Sequence, residues 1–488
     1  MYLYLIGATS VLFSPTVQAD ELRHGISSST AATLCYDPHG APLTPTACAG
    51  ASGDMEVVFL QDAFDTLGIE CLDGSVPAMH IAPATDPQHA DDWVIAVQGG
   101  GSCSSLGECE PLYPSERDEM STFTIDSPIE GTGILSDSSI NNFAGWNRVK
   151  IHKCSFDRFS GTASLSGTSP SLGTPLDLHF HGASILDAAV DALIDGTASA
   201  AFAQGELKNM DEADTVLLVG SSGGMGGLIM QADQLRADII AGKATPTAPD
   251  PDVRYVLDAN FTVLPSTVFS PLNNPYSLAC SGDIDFDGAG TSLTTINDCS
   301  DVYEVSAGAD PERWVADLYD TWGVPQDLSC EAFHGGPSPL CMNHMHVLFN
   351  HLQGSTMIRQ DLSDPNDLHR NVGTEHSTEW DDRCNSPLLC GSVLDDAEYE
   401  SHQRTQAAAL LGMDVHSEEA GSSSPSGGLP PRGPWFYGPD DATHVGVEKN
   451  LVFAMDTVDD GGGPTSFNDY LLDWLGATAI AADVLITP

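Results

Sequence analysis

Positive charge is what this chain lacks most. Its 488 residues carry 17 Lys plus Arg against 69 Asp plus Glu, a formal net charge of −52. So lopsided a balance repels phosphate backbones and anionic lipid surfaces, which excludes nucleic acid as a partner. It says nothing about fold, and its simplest origin is solubility in a salty medium, where screening weakens self-repulsion. Long apolar runs are missing too. After residue 13 nothing reaches the roughly 18 apolar residues that a membrane span requires, so no span is expected in the mature chain. Internal repeats are absent, as is a second segment with a core of its own. One large α/β domain with long loops is therefore expected, although the length would hold two or three average domains.

The chain opens with an apolar run, residues 2–13, too short to cross a bilayer and followed by Val17-Gln18-Ala19 ahead of Asp20-Glu21. It reads as a signal peptide over residues 1–19, without the usual positive n-region, and implies a secreted or periplasmic protein. Twelve cysteines, an even number, agree with an oxidising compartment. Several are near neighbours (Cys35 and Cys48, Cys103 and Cys109, Cys280 and Cys299, Cys330 and Cys341, Cys384 and Cys390), but spacing does not settle connectivity. Residues 20–70 are rich in Ser, Thr and Ala and read as a loop-rich N-terminal extension. Residues 71–488 read as the single domain, with a flexible Ser/Gly/Pro-rich insertion at 417–434.

The domain is organised around Val216-Leu217-Leu218-Val219-Gly220-Ser221-Ser222-Gly223-Gly224. Four apolar residues predict a buried parallel strand, and Leu228, Ile229, Ala232, Leu235 and Ile239 recur at helical spacing behind them. Between strand and helix lies G-x-S-x-G, a nucleophile elbow, whose glycines let the chain turn sharply enough to expose the Ser222 hydroxyl. The helix N-terminus favours negative charge developing there.

Upstream, Ala78-Met79-His80-Ile81 alternates like an edge strand, and Trp93-Val94-Ile95-Ala96-Val97 reads as a buried strand ending in Gln98-Gly99-Gly100-Gly101-Ser102-Cys103. A phosphate-binding loop is excluded there, because the turn has no Lys-Ser/Thr. In α/β hydrolases a Gly-rich turn at this place supplies the other half of an oxyanion hole. Trp146-Asn147-Arg148-Val149-Lys150-Ile151 predicts a third strand, an apolar stripe from Ile185 to Ile194 a helix, and Val253 to Leu257 a further strand ending at Asp258. This alternation implies a mostly parallel sheet covered on both faces.

Five motifs occur here in the order found in the pectin acetylesterase/Notum family of secreted serine carboxylesterases. They are Cys71-Leu72-Asp73-Gly74-Ser75, Gly99-Gly100-Gly101-Ser102-Cys103, Trp146-Asn147-Arg148-Val149, Gly220-Ser221-Ser222-Gly223-Gly224 and Asp258-Ala259-Asn260-Phe261. The chain resembles that family from residue 71 to 261 and in patches from 330 to 444. It departs from the family at Gly101, where Trp is usual, and at Gly223, where Ala is usual. The first departure alters the acyl pocket or sugar platform; the second leaves the backbone N–H in place. Gly100, Gly101 and Gly223 are the expected oxyanion donors.

A serine nucleophile needs a histidine base oriented by a carboxylate. Nine histidines follow Ser222, and the last, His444, lies in a loop resembling the family's histidine loop, although without its cysteine. Leu451 to Met455 reads as a strand after it, and Ser466 as the N-cap of a helix burying Tyr470, Leu471, Trp474 and Leu475. For the carboxylate, Asp364 fits the family segment in which a strand, here from Met357, delivers its acid after a short turn. Asp361 and Asp258 stay open as alternatives.

The resemblance implies a cofactor-free, monomeric α/β-hydrolase-like serine esterase acting on O-acetyl groups of a polysaccharide such as pectin. Two other readings stand beside it: an esterase for longer acyl chains or polyesters, and a catalytically idle, calcium-stabilised secreted binding protein. The last rests on Asp283, Asp285 and Asp287, spaced like the first half of an EF-hand loop, with Thr294 where the bidentate Glu would stand. Cys341, His344 and His346 make a poor zinc set, having no fourth ligand at a usual spacing.

Overall fold

The structure is a computed structural model. It describes residues 55–203, 206–259, 321–336, 351–361, 435–438, 445–449, 457–458, 465–476 and 483–486, with 341, 344, 347, 348 and 453. The signal-peptide segment, most of the N-terminal extension, the Asp283–Asp285–Asp287 cluster, the 417–434 insertion, Asp364 and His444 lie outside the described residues.

Strands β1 (Glu56–Phe59), β2 (Ala78–Ala82), β3 (Asp92–Val97), β4 (Asn147–Ile151), β7 (Thr215–Ser221), β8 (Asp252–Asp258), β9 (Ser355–Arg359), β10 (Trp435–Gly438) and β13 (Asp483–Ile486) form one nine-stranded sheet. Their order is β1-β2-β4-β3-β7-β8-β9-β10-β13; the β1–β2 and β2–β4 pairs are antiparallel and every other pair is parallel. A hairpin, β5 (Ala163–Thr168) with β6 (Pro175–Phe180), and a short pair, β11 (Thr457–Val458) with β12 (Thr465–Ser466), stand apart from it.

The central strands read as unbroken apolar runs because both sheet faces are covered. On one face Trp93, Ile95, Val97, Val216 and Leu218 pack under helices α4 (Gly182–Ile194) and α5 (Gly223–Ala241). On the other, Val94, Ala96, Leu217 and Val219 meet Phe143, Trp146 and the buried side of α7 (Phe467–Gly476), namely Tyr470, Leu471 and Trp474. The expected N-cap of α7 is present, since the Ser466 hydroxyl accepts the Asp469 N–H at 3.1 Å.

Three readings need correction. The extension is not loop-rich to residue 70: β1 and helix α1 (Gln61–Leu67) lie within it. Four strand residues are too few to carry a periodic signal, and β1 rather than β2 forms the sheet edge. Phe453 is helical, its N–H bonded to the Lys449 carbonyl at 2.8 Å, where a strand was expected. Among the described cysteines, Cys103–Cys109 and Cys330–Cys341 pair as neighbours, but Cys71 joins Cys154, 83 residues away.

Two buried histidines make stability depend on pH. His80 Nε2 lies 2.8 Å from the Asp126 carbonyl and His152 Nε2 3.3 Å from that of Ser121, so each Nε2 carries a proton and donates. Burial lowers the pKa of both to about 4. Neutral rings are favoured by folding, so their contribution is complete above the unfolded value near 6.5 and is lost as pH falls toward 4. At pH 5 each costs up to about 2 kcal/mol. Asp233 and Asp187, raised by burial to about 7 and about 6, act in the opposite sense, and a variant comparison separates the two. In urea unfolding, the stability advantage of wild type over His152→Gln should shrink by about 1–2 kcal/mol between pH 7 and pH 5. An advantage independent of pH would show that the ring does not resist protonation.

Candidate active site

The carboxyl ends of the parallel strands line up. Val97 stands opposite Gly220, Ser221 opposite Asp258, and Asp258 opposite Arg359. Ser222 follows at this edge, the place where open α/β sheets bind ligands. Its backbone sits at φ 47° and ψ −121°. That is the conformation of the first central residue of a type II′ turn, in which glycine is the usual occupant. A serine there stores of order 1–3 kcal/mol of strain and persists only where its surroundings over-determine it. They do so here: its N–H donates to the Asp258 carbonyl at 2.8 Å, and its carbonyl accepts the Met225 N–H at 3.0 Å.

The Gly-rich turn after β3 fits against the elbow. A Cβ on Gly223 would come within 2.7 Å of the Gly100 carbonyl oxygen, so the two expected oxyanion residues touch only because position 223 lacks a side chain. Gly100 has φ +139°, a conformation that L side chains rarely adopt. The third expected donor is differently engaged, since the Gly101 N–H donates to Glu119 Oε2 at 2.9 Å.

The loop after Cys154 also braces the elbow. Phe156, Arg158 and Phe159 all have positive φ. Asp157, fully buried, holds them there by accepting bonds from the Ser155 hydroxyl at 2.5 Å and from the N–H groups of Phe159, Gly161 and Gly182 at 3.0, 3.1 and 2.7 Å. Burial nevertheless raises its pKa, against the pull of these donors. Arg158 Cγ lies 3.4 Å from where a Gly223 Cβ would stand.

His444 is outside the described residues, but the segment directly after it is held at the same edge. The Val447 N–H donates to Asp258 Oδ2 at 2.8 Å, the Ile134 N–H donates to the Val447 carbonyl at 2.8 Å, and the Ser221 hydroxyl donates to Glu448. Gly446 packs on Arg359, whose guanidinium a Cβ would meet at 2.1 Å. Asp258 is in turn paired with Arg359 Nη1 at 3.0 Å, both side chains at most 1% exposed. Asp258 therefore ties β8 and β9 to the stretch following His444. Asp361, two residues past β9, is fully buried, and its backbone carbonyl accepts Gln360 Nε2 at 3.2 Å.

Among the described residues no three His, Cys, Asp or Glu side chains converge to hold a metal, and Cys341 is bound to Cys330.

A mostly parallel sheet, sandwiched by helices and ending one central strand in a strained serine at a helix N-terminus, is an α/β-hydrolase arrangement. Residues 48–261 match the Pectinacetylesterase family. Pectin acetylesterase 7 of Arabidopsis thaliana is 27% identical over 186 residues, 38% of this chain and 42% of that protein. The palmitoleoyl-protein carboxylesterase NOTUM of Schmidtea mediterranea is 31% identical over 174 residues, 35% of this chain and 29% of that protein. The chain thus matches less than half the length of these curated relatives. The crystal structure of the Wnt deacylase Notum from Drosophila shares the fold, with a TM-score of 0.58 at 16% identity, covering 89% of this chain and 96% of that one.

Proposed function

We propose that this protein is a secreted serine carboxylesterase that removes acyl groups, O-acetyl above all, from a polysaccharide such as pectin. The observation that carries the reading is Ser222 itself, held at φ 47° between β7 and α5 and facing the Gly100 turn, within the stretch that matches this family. In the reaction, the Ser222 hydroxyl attacks the ester carbonyl while His444 takes its proton, and Asp364 orients the imidazole. Backbone N–H groups of Gly100 and Gly223 receive the oxyanion; Gly101 joins them only when its bond to Glu119 opens. His444 then protonates the leaving alcohol, and water repeats the cycle on the acyl-enzyme. Asp258 is the weaker triad acid, because Arg359 and the Val447 N–H already occupy its carboxylate.

The test is acyl release from p-nitrophenyl esters of two to eight acyl carbons. An acetyl-sized pocket gives the highest kcat/KM at two carbons. A rise of about fourfold per added methylene, the equivalent of ~0.8 kcal/mol of burial, would favour the longer-acyl reading, which the likeness to a palmitoleoyl-protein carboxylesterase keeps in view. Failure of Ser222 to react with an organophosphonate would leave the idle binding protein.

A further inference from the structure

Behind the Gly-rich turn lies an ion pair that the mechanism above does not use. Lys153 follows β4 with its side chain 1% exposed, and its Nζ stands 2.7 Å from Glu119 Oε2, on helix α3 (Arg117–Met120). Such a pair is expensive to bury and is weak evidence of stability on its own account. Two further hydrogen bonds of the pair converge on one residue of the turn. Glu119 Oε2 accepts the Gly101 N–H at 2.9 Å, and Lys153 Nζ donates to the Gly101 carbonyl. Both polar groups of Gly101 are therefore gripped by opposite charges, which fixes the two peptide planes that flank it. The grip is close: a Cβ on Gly100 would come within 2.4 Å of both Glu119 oxygens and of Lys153 Nζ. Phe156 completes the enclosure, its ring centroid 4.6 Å from Nζ and its Cζ 2.7 Å from where a Gly101 Cβ would stand.

We propose that Lys153 and Glu119 are positioning residues for ester hydrolysis, the pair gripping Gly101 so that the Gly100 turn presents its backbone N–H to the oxyanion. The proposal rests on the esterase reading. It makes the turn sensitive to alkali, since a neutral Lys153 amine no longer grips as an ion. Burial lowers the Lys153 pKa to about 8; Glu119 on α3 opposes that shift, as does Asp157, while Arg158 reinforces it.

Lys153→Met and Glu119→Gln test this in the full-length protein, by kinetics and by hydrogen exchange. Each variant should lower kcat on p-nitrophenyl acetate by about 10²–10³, the cost of losing one oriented oxyanion donor, with KM changed by no more than about threefold. In the wild type, kcat should fall on an alkaline limb near pH 8, and Glu119→Gln should move that limb to lower pH. Amide exchange across residues 98–102 should quicken by about tenfold or more in both variants while the α5 amides stay protected, which separates a loosened turn from a failed fold. Unchanged exchange across 98–102 overturns the grip whether or not the enzyme turns over. Quickened exchange with kcat unchanged, or with KM alone raised, overturns the positioning role. A wild type without Ser222-dependent acyl release overturns the esterase reading instead, and the role with it.

Discussion

Ser222→Ala is expected to lower kcat/KM for an acetyl ester by about 10³ or more, with the unfolding midpoint nearly unchanged. The loss corresponds to about 4 kcal/mol of transition-state stabilisation, because a nucleophile and its base act as a unit and the oxyanion donors alone give only residual catalysis. Alanine keeps the fold because it needs no partner, and it suffers the same positive φ as serine. Glycine does not. Ser222→Gly should be equally inactive yet more stable by about 1 kcal/mol, since the conformation at φ 47° and ψ −121° is ordinary for glycine. Steady-state kinetics paired with urea unfolding reads both effects. Retained activity in the alanine variant would remove Ser222 from the chemistry, and a glycine variant no more stable than wild type would show that the turn is unstrained.

Arg359→Met is expected to destabilise the protein by about 3–5 kcal/mol, the cost of leaving one member of a buried ion pair behind. Asp258 has no exposure through which water could replace the guanidinium, and among the described residues the Val447 N–H would be left to face its charge. The abandoned carboxylate should then take up a proton, so the deficit should grow as pH rises. Substituting both residues, Asp258→Asn with Arg359→Met, should recover much of the loss, because no unpaired charge remains. Activity should recover less than stability, for the tie from Asp258 to the stretch after His444 is weakened in every variant. Equal losses in the single and double variants would show that the pair does not act as a unit.

What could be read from the residues alone was whatever has a local cause. The runs from Trp93 and Val216 announced strands because both of their faces are buried, and the apolar spacing behind Ser222 announced α5 because one helical stripe meets the sheet. Gly100 and Gly223 could be paired in advance because the chemistry needs bare backbone there, and the structure does bring them together. The rest depends on partners far along the chain. Nothing near Cys71 points to Cys154, and nothing near Lys153 points to Glu119, although a lysine just past a buried strand in a chain so poor in cations was a usable signal. The positive φ angles at Phe156, Arg158 and Phe159 follow from Asp157 gathering donors from three directions, which no propensity encodes.

The register of the strand ends also bears on the order in which the molecule is built. Val97 meets Gly220, and Asp258 meets Arg359, across long stretches of intervening chain, so these pairings belong to the slow, high-contact-order part of folding. The strain at Ser222 is imposed by the neighbours that those pairings deliver. A chain with its helices formed and its strands not yet docked would carry Ser222 as an ordinary, unreactive hydroxyl. On the esterase proposal, reactivity at Ser222 would mark the completion of folding, and an active-site label applied during refolding would time the last strand to dock.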